Sequence, residues 1–269
     1  MPTVNDVNDY LFSIAPLGMK ADFDNVGFLV GRGGSDASRI LLSLDITSDV
    51  ISEAIDIGAG LIVSHHPMFF SLDSVTDSDI TGVQILRMAT GGLSAICMHT
   101  NLDAARGGIN DILASTVGIV EAGGGGAAEL LSSEDRLPTG EAFSYGRVGH
   151  LKSPVSMIEY LGFLKEALKT GGLRYYDSGR EVYKVAVVSG SGGGELDHAV
   201  SHGCDTFVTA DVKYSVFLLA KEYGINIIDG DHFCTENVVM GALCDKLRTK
   251  FPEADVKVSK RHAQTVRFF

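Results

Sequence analysis

Three short stretches of this chain concentrate side chains that bind metals or move protons. Ser64-His65-His66-Pro67 sets two imidazoles side by side. Neighbouring side chains leaving an extended segment diverge, so the pair can reach two ions, or one ion and a substrate. Pro67 keeps His66 extended. His99-Thr100-Asn101-Leu102-Asp103 adds a carboxylate, with His99 and Asn101 suited to orienting a ligand or a substrate through hydrogen bonds. Asp229-Gly230-Asp231-His232-Phe233-Cys234-Thr235-Glu236 supplies a third candidate imidazole and a further carboxylate. Histidines mixed with one or two carboxylates suit borderline divalent cations such as Zn²⁺, Fe²⁺, Mn²⁺ or Ni²⁺, whereas an all-oxygen set suits Ca²⁺ or Mg²⁺. The chain has no His-Glu-x-x-His, which separates it from the single-zinc proteases.

Each stretch alone also has an ordinary reading. A His pair can sit on a surface turn. Asp103, shortly before Gly107-Gly108, suits a turn or cap. A glutamate in the first turn of a helix, as expected for Glu236 behind a capping Thr235, is stabilised by the helix dipole with no metal. Ser189-Gly190-Ser191-Gly192-Gly193-Gly194 is a weaker candidate. Amides around Ser191 and Gly192 could cradle a phosphate, with Lys213 supplying charge, but a plain strand-to-helix turn accounts for the same glycines.

The elements that must position these groups alternate strand and helix, the rhythm of mainly parallel sheets flanked by helices. Strands are expected at Arg39–Asp45, Leu61–Ser64, Leu93–His99, Tyr183–Val188, Thr206–Thr209, Ile225–Ile228 and Val256–Ser259. Helices are expected from Val50 to Gly58, then over Gly82–Ala89, Gly108–Val117, Val155–Leu168, Glu195–His202, Val216–Tyr223 and Thr235–Phe251. Nearly every polar cluster follows the carboxyl end of a strand, where α/β sheets bind their ligands. The glycines at 123–126 mark the expected junction between an N-terminal α/β lobe, 1–125, and a C-terminal α/β lobe, 126–269, whose last strand could return to the first lobe.

A net charge of −12 opposes non-specific nucleic-acid binding. No apolar run is long enough to span a membrane, and acids stand where a signal peptide would carry basic residues, so the expected location is cytoplasmic. Cys97, Cys204, Cys234 and Cys244 are scattered with no Cys-x-x-Cys, which argues for reduced, packed thiols.

Taken in order, the motifs resemble the Nif-three-like, dinuclear-metal-centre family, the GTP cyclohydrolase 1 type 2 homologues. The matching pieces begin with Asp24-Asn25-Val26-Gly27-Phe28-Leu29-Val30-Gly31, Leu44-Asp45-Ile46-Thr47, Ser64-His65-His66-Pro67 and His99-Thr100-Asn101-Leu102-Asp103 with Gly107-Gly108-Ile109-Asn110-Asp111. They continue with Gly146-Arg147-Val148-Gly149, Ser189-Gly190-Ser191-Gly192-Gly193, Thr209-Ala210-Asp211-Val212-Lys213-Tyr214 and His232-Phe233-Cys234-Thr235-Glu236. The resemblance implies a two-lobed α/β subunit and two divalent ions on His65, His66, Asp103, His232 and Glu236, with Glu236 bridging. It also implies a toroidal homohexamer in a compact form without an inserted domain. The implied activity is metal-dependent hydrolysis of a nucleotide-like substrate, with opening of the purine ring of GTP as the reaction the family name suggests. A non-catalytic metal-handling or regulatory ring is the alternative. Ser215 stands where many relatives carry a histidine, outside the five expected ligands.

Overall fold

The computed structural model describes residues 1–120, 129–132 and 135–269; the glycine run expected as a junction lies outside them. The chain forms two compact units, one of Met1–Leu102 with Met240–Ala263 and one of Asp103–Val239 with Gln264–Phe269.

The first unit opens with α1 (Val4–Ile14), β1 (Gly27–Val30), β2 (Arg39–Ser43), α2 (Ser48–Asp56), β3 (Leu61–Ser64), α3 (Ile80–Thr90) and β4 (Ser94–Cys97). A short helix, α4 (Thr100–Ala104), carries the chain into the second unit. There follow α5 (Ile109–Thr116), β5 (Glu129–Leu130), β6 (Arg147–Val155), α6 (Met157–Leu168), β7 (Arg174–Tyr176), β8 (Val182–Val187), α7 (Leu196–Ser201), β9 (Thr206–Thr209), α8 (Tyr214–Tyr223), β10 (Asn226–Asp229) and α9 (His232–Glu236). The first unit is then completed by α10 (Val239–Lys250) and β11 (Asp255–Val258).

In the first unit the sheet order is β1-β4-β3-β2-β11. Strands β4, β3, β2 and β11 are parallel, and β1 closes the edge antiparallel to β4. Every residue of β3 and β4 is buried, as expected of parallel strands covered on both faces. Thr47 caps α2, its hydroxyl accepting from the Val50 amide, so the Leu44-Asp45-Ile46-Thr47 motif is a strand exit followed by a helix start. Leu41, Ile62, Val50, Ile51, Ala54 and Met88 meet between the sheet and its helices, each large aliphatic contributing about 1.5–3 kcal/mol by leaving water.

The second sheet runs β5-β6-β8-β9-β10-β7, parallel at its centre (β8, β9, β10) and antiparallel at its edges. The apolar side of α5 packs here, with Leu113, Ala114 and Val117 among Val182, Val185 and Val208. The units therefore divide at 102/103, and residues 103–120 belong to the second unit. The last strand, β11, pairs with β2 of the first unit, to which α10 also belongs.

The single long helix expected over Thr235–Phe251 is two helices. Asn237 caps α9 with its amide on the Phe233 carbonyl, and α10 begins only at Val239. Asn237, Val238 and Val239 are weak helix formers, and the break falls where the chain passes between units. All four cysteines are buried, and burial pushes the Cys234 thiol up to about 11. Among the described residues no helix is long and apolar enough to cross a membrane.

Candidate functional site

In the first unit, β3 ends at Ser64 and its ladder continues for two residues, the amides of His65 and His66 donating to the Ser43 and Leu44 carbonyls. The two rings leave this extended segment toward different neighbours. His65 Nδ1 lies 2.8 Å from the Met98 carbonyl, beyond β4 on one side. His66 Nδ1 lies 2.7 Å from Asp45, beyond β2 on the other. His99 follows β4, and its Nδ1 lies 2.7 Å from Asp24, in the loop before β1. Strand order therefore selects each partner.

The rings nonetheless converge, with centroids 4.9 Å apart for His65 and His66, 5.0 Å for His65 and His99, and 5.6 Å for His66 and His99. One ring nitrogen from each lies within 4.8 Å of the others, a grouping able to hold a metal ion. A carbonyl or carboxylate can only accept, so each of these Nδ1 atoms donates and a neutral ring carries its lone pair on Nε2. Fixing the tautomer from behind is how proteins prepare imidazoles for a metal. His99, expected from sequence to orient a ligand, lies in the same grouping as the expected pair.

Asp24 accepts from the Thr100 amide and hydroxyl as well as from His99. Burial opposes its ionisation, but those bonds hold its pKa down at about 2. Asp45 behaves likewise: burial opposes ionisation, while the imidazole of His262 nearby and the bond to His66 hold the carboxyl far below the usual range. The His262 side chain is buried, with Nε2 3.7 Å from Asp45. Asn101, expected to face a ligand or substrate, is fully buried and gives its amide to the Ala15 carbonyl at 2.7 Å.

In the second unit, Asp103, Ser189, Gly190, His232 and Glu236 form one connected group. The Ser189 hydroxyl donates to Asp103 at 2.9 Å, and Asn110, fully buried, donates to both the Asp103 carbonyl and Ser189 Oγ while accepting the Ser189 amide. Asp111 takes the guanidinium of Arg147, whose remaining donors reach the carbonyls of Ser144, Gly146, Ala104 and Ala105. Arg147 is fully buried, so Gly146-Arg147-Val148-Gly149 is the brace of the turn after Asp103.

Asp231, not Thr235, caps α9, accepting from the Cys234 amide. Thr235 instead gives its hydroxyl proton to the His232 carbonyl and accepts the Gly190 amide. His232 and Glu236 share a helix face at i, i+4, with Nε2 and Oε2 3.1 Å apart, while His232 Nδ1 meets Asp211 at 2.8 Å. Burial opposes a charge on His232, yet Glu236 and Asp211 raise its pKa to about 9. In the protein alone a proton joins His232 to Glu236, and a divalent cation would compete for the same two atoms. Gly190, at φ +58°, leaves room for that carboxylate: a Cβ there would lie 2.1 Å from Glu236 Oε1.

The glycine loop, which from sequence suits either a phosphate cradle or a plain strand-to-helix turn, has three of its amides engaged within the protein. The amides of Ser189, Gly190 and Gly192 are engaged by Asn110, Thr235 and the Thr209 hydroxyl. Ser191 is exposed, Gly192 is buried against Val188 and Thr209, and Lys213 is an exposed residue at the start of α8. Asp24, Asp45 and Asp211 were present in the sequence motifs, but only strand adjacency shows that each backs an imidazole.

The Duf34/NIF3 (NGG1p interacting factor 3) family matches residues 2–265, almost the whole chain. The chain belongs to the DUF34/NIF3 family. Among its NIF3 relatives is a protein of Clostridium perfringens named GTP cyclohydrolase 1 type 2 homolog, 33% identical over 256 residues that cover 94% of each chain. A protein of the same name from Clostridium acetobutylicum is 32% identical over 87% of this chain and 85% of its own. The fold matches a crystal structure of a NIF3-related Bacillus cereus protein with a TM-score of 0.90 at 21% identity, covering 100% of this chain and 99% of that one. A Staphylococcus aureus protein gives 0.88 at 24% identity, with 99% of both chains covered. These likenesses establish a two-sheet α/β NIF3 fold.

Proposed function

We propose that this protein is a metal-dependent hydrolase of a nucleotide-like substrate, with two divalent ions held by His65, His66, Asp103, His232 and Glu236. The observation that carries the metal reading is the three-imidazole group of His65, His66 and His99, each ring backed at Nδ1 by an oxygen acceptor. Mixed nitrogen and carboxylate donors of this kind favour Zn²⁺, Fe²⁺, Mn²⁺ or Ni²⁺. The names of the two Clostridium relatives support a nucleotide substrate. Bound ions would supply Lewis acidity toward water and the attacked group. The chain's own part is to fix ring tautomers through Met98, Asp45, Asp24 and Asp211, and to hold the Asp103 and Glu236 carboxylates through Ser189, Asn110 and the space at Gly190. A homohexameric ring belongs to the same proposal; a native mass of six chains supports it and a monomer sinks it.

Elemental analysis of protein purified without added metal, beside His66→Ala, tests the site. Loss of at least one ion per chain in the variant is expected, and unchanged metal content refutes the ligand set. Turnover is sought with metal-loaded protein against nucleotides, phosphoesters and cyclic amides. Metal binding with no turnover across that panel overturns the hydrolase reading and leaves a metal-handling protein.

A further inference from the structure

Beside the three imidazoles the first unit presents two aromatic rings to solvent. Phe23 is 71% exposed and Phe70 58% exposed, with centroids 6.3 Å apart and planes inclined at 47°. Phe70 also meets the His99 ring edge-on at 6.1 Å. Apolar rings left in water forgo the stabilisation they would gain by tucking against the core. Loose loops would permit such tucking, but these rings ride on fastened ones.

Phe23 lies inside a turn closed by the Asp24 amide on the Ala21 carbonyl. The Ala21 amide donates to the Thr100 hydroxyl, and the Asp24 carboxylate takes Thr100 and His99. The turn is therefore bolted to the same histidine that joins the donor group. The Phe70 loop is clipped to it by Asn25, whose side-chain amide donates to the Phe69 carbonyl at 2.8 Å. Two exposed rings are thus fixed, at a set inclination, at the rim of the imidazole group.

We infer that Phe23 and Phe70 form the recognition surface for a planar heteroaromatic ring, the base of the nucleotide-like substrate, at the edge of His65, His66 and His99. The inference rests on the proposed hydrolase reading and deepens it by naming the part of the substrate that is held. Every base offers a π-face, and stacking on an aromatic side chain is sequence-tolerant and strong. Two inclined rings grip a flat molecule by one face and one edge, an arrangement aromatic pairs favour. A saturated or acyclic substrate gains nothing comparable from them.

Equilibrium binding of two probes that share a phosphorylated ribose, GMP and ribose 5-phosphate, tests this by titration calorimetry on the full chain as purified. GMP is expected to bind about tenfold or more tightly than ribose 5-phosphate. Phe23→Leu/Phe70→Leu is expected to remove that preference while leaving ribose 5-phosphate unchanged, and Phe70→Trp to retain it. No ring preference in the parent protein, or a preference that survives in the double leucine variant, overturns the inference. A leucine variant that changes only the oligomeric state also overturns it, assigning the rings to contact between copies of the chain. Metal content separates the two readings: normal metal with no ring preference refutes the aromatic surface alone, whereas ring preference with unaltered metal in His66→Ala refutes the metal site alone.

Discussion

The two units prepare their donors in different ways. In the first, three imidazoles stand at the ends of neighbouring strands and each has its own acceptor, Met98, Asp45 or Asp24. In the second, Asp103 and Glu236 share a single web, in which Ser189, Gly190, Asn110 and Thr235 touch one another and Arg147 braces the turn. Separate supports make the first arrangement divisible: one ring can be loosened at a time. A shared web makes the second cooperative, so disturbing one member disturbs the rest.

The strongest way to break this contrast is Arg147→Met. The change leaves the Asp111 carboxylate and four carbonyls without their buried donor, and should cost about 3–5 kcal/mol of unfolding free energy. Denaturant midpoints measure it, and a loss under about 1 kcal/mol would contradict the bracing role. Asp45→Asn should do the opposite. Of the three imidazoles it loosens only His66, although it also removes the carboxylate facing His262, so chelator competition should show metal affinity lowered by about 10–100-fold with a smaller loss of stability than Arg147→Met. Equal damage to both quantities would erase the distinction between separate and shared supports.

Gly190→Ala probes the web from inside. The left-handed backbone should cost about 1 kcal/mol, while the new methyl displaces the Glu236 carboxylate, so metal loss should outrun stability loss. Retention of full metal content would show that Glu236 does not need that space. The smallest effect is acid sensitivity in the first unit. Asp24 is held at about 2, below its ordinary 3.8, so its stabilisation is complete above pH 3.8 and disappears as pH falls through 2. Asp24→Asn should flatten the slope of stability against pH in that window; an unchanged slope would remove Asp24 from the account.

Much of this was legible in the sequence where the signal was local. The apolar runs Leu61–Ser64 and Thr206–Thr209 match β3 and β9 because buried parallel strands read as continuous hydrophobic stretches. His65 and His66 were visible as a pair, but the grouping of His99 with them depends on β4 lying beside β3. The backing carboxylates were invisible as such, since Asp24 and His99 are far apart in sequence and meet through the β1–β4 pairing. Helix α1 lies outside the elements expected from sequence, despite the reciprocal Thr3 and Asp6 cap that begins it. The break between α9 and α10 could not be seen from periodicity, because a tertiary crossing ends one helix and starts the next. The surroundings of the glycine loop were hidden for a related reason: the amides of Ser189, Gly190 and Gly192 are taken by Asn110, Thr235 and Thr209, which lie elsewhere in the chain.

The return of the chain to its first sheet has a consequence for biosynthesis. Strand β2 receives its neighbour β11 only after Asp103–Val239, the bulk of the second unit, has been made. At ~5–20 residues per second, that hydrogen-bonding edge stays open on the ribosome for about ten to forty seconds. During this interval Asp103–Val239 has emerged as an uninterrupted stretch and can assemble ahead of the sheet that precedes it. Nascent chains stalled before Asp255 should therefore display an unpaired, apolar strand edge, the kind of surface that holding chaperones cover and that otherwise recruits other strands.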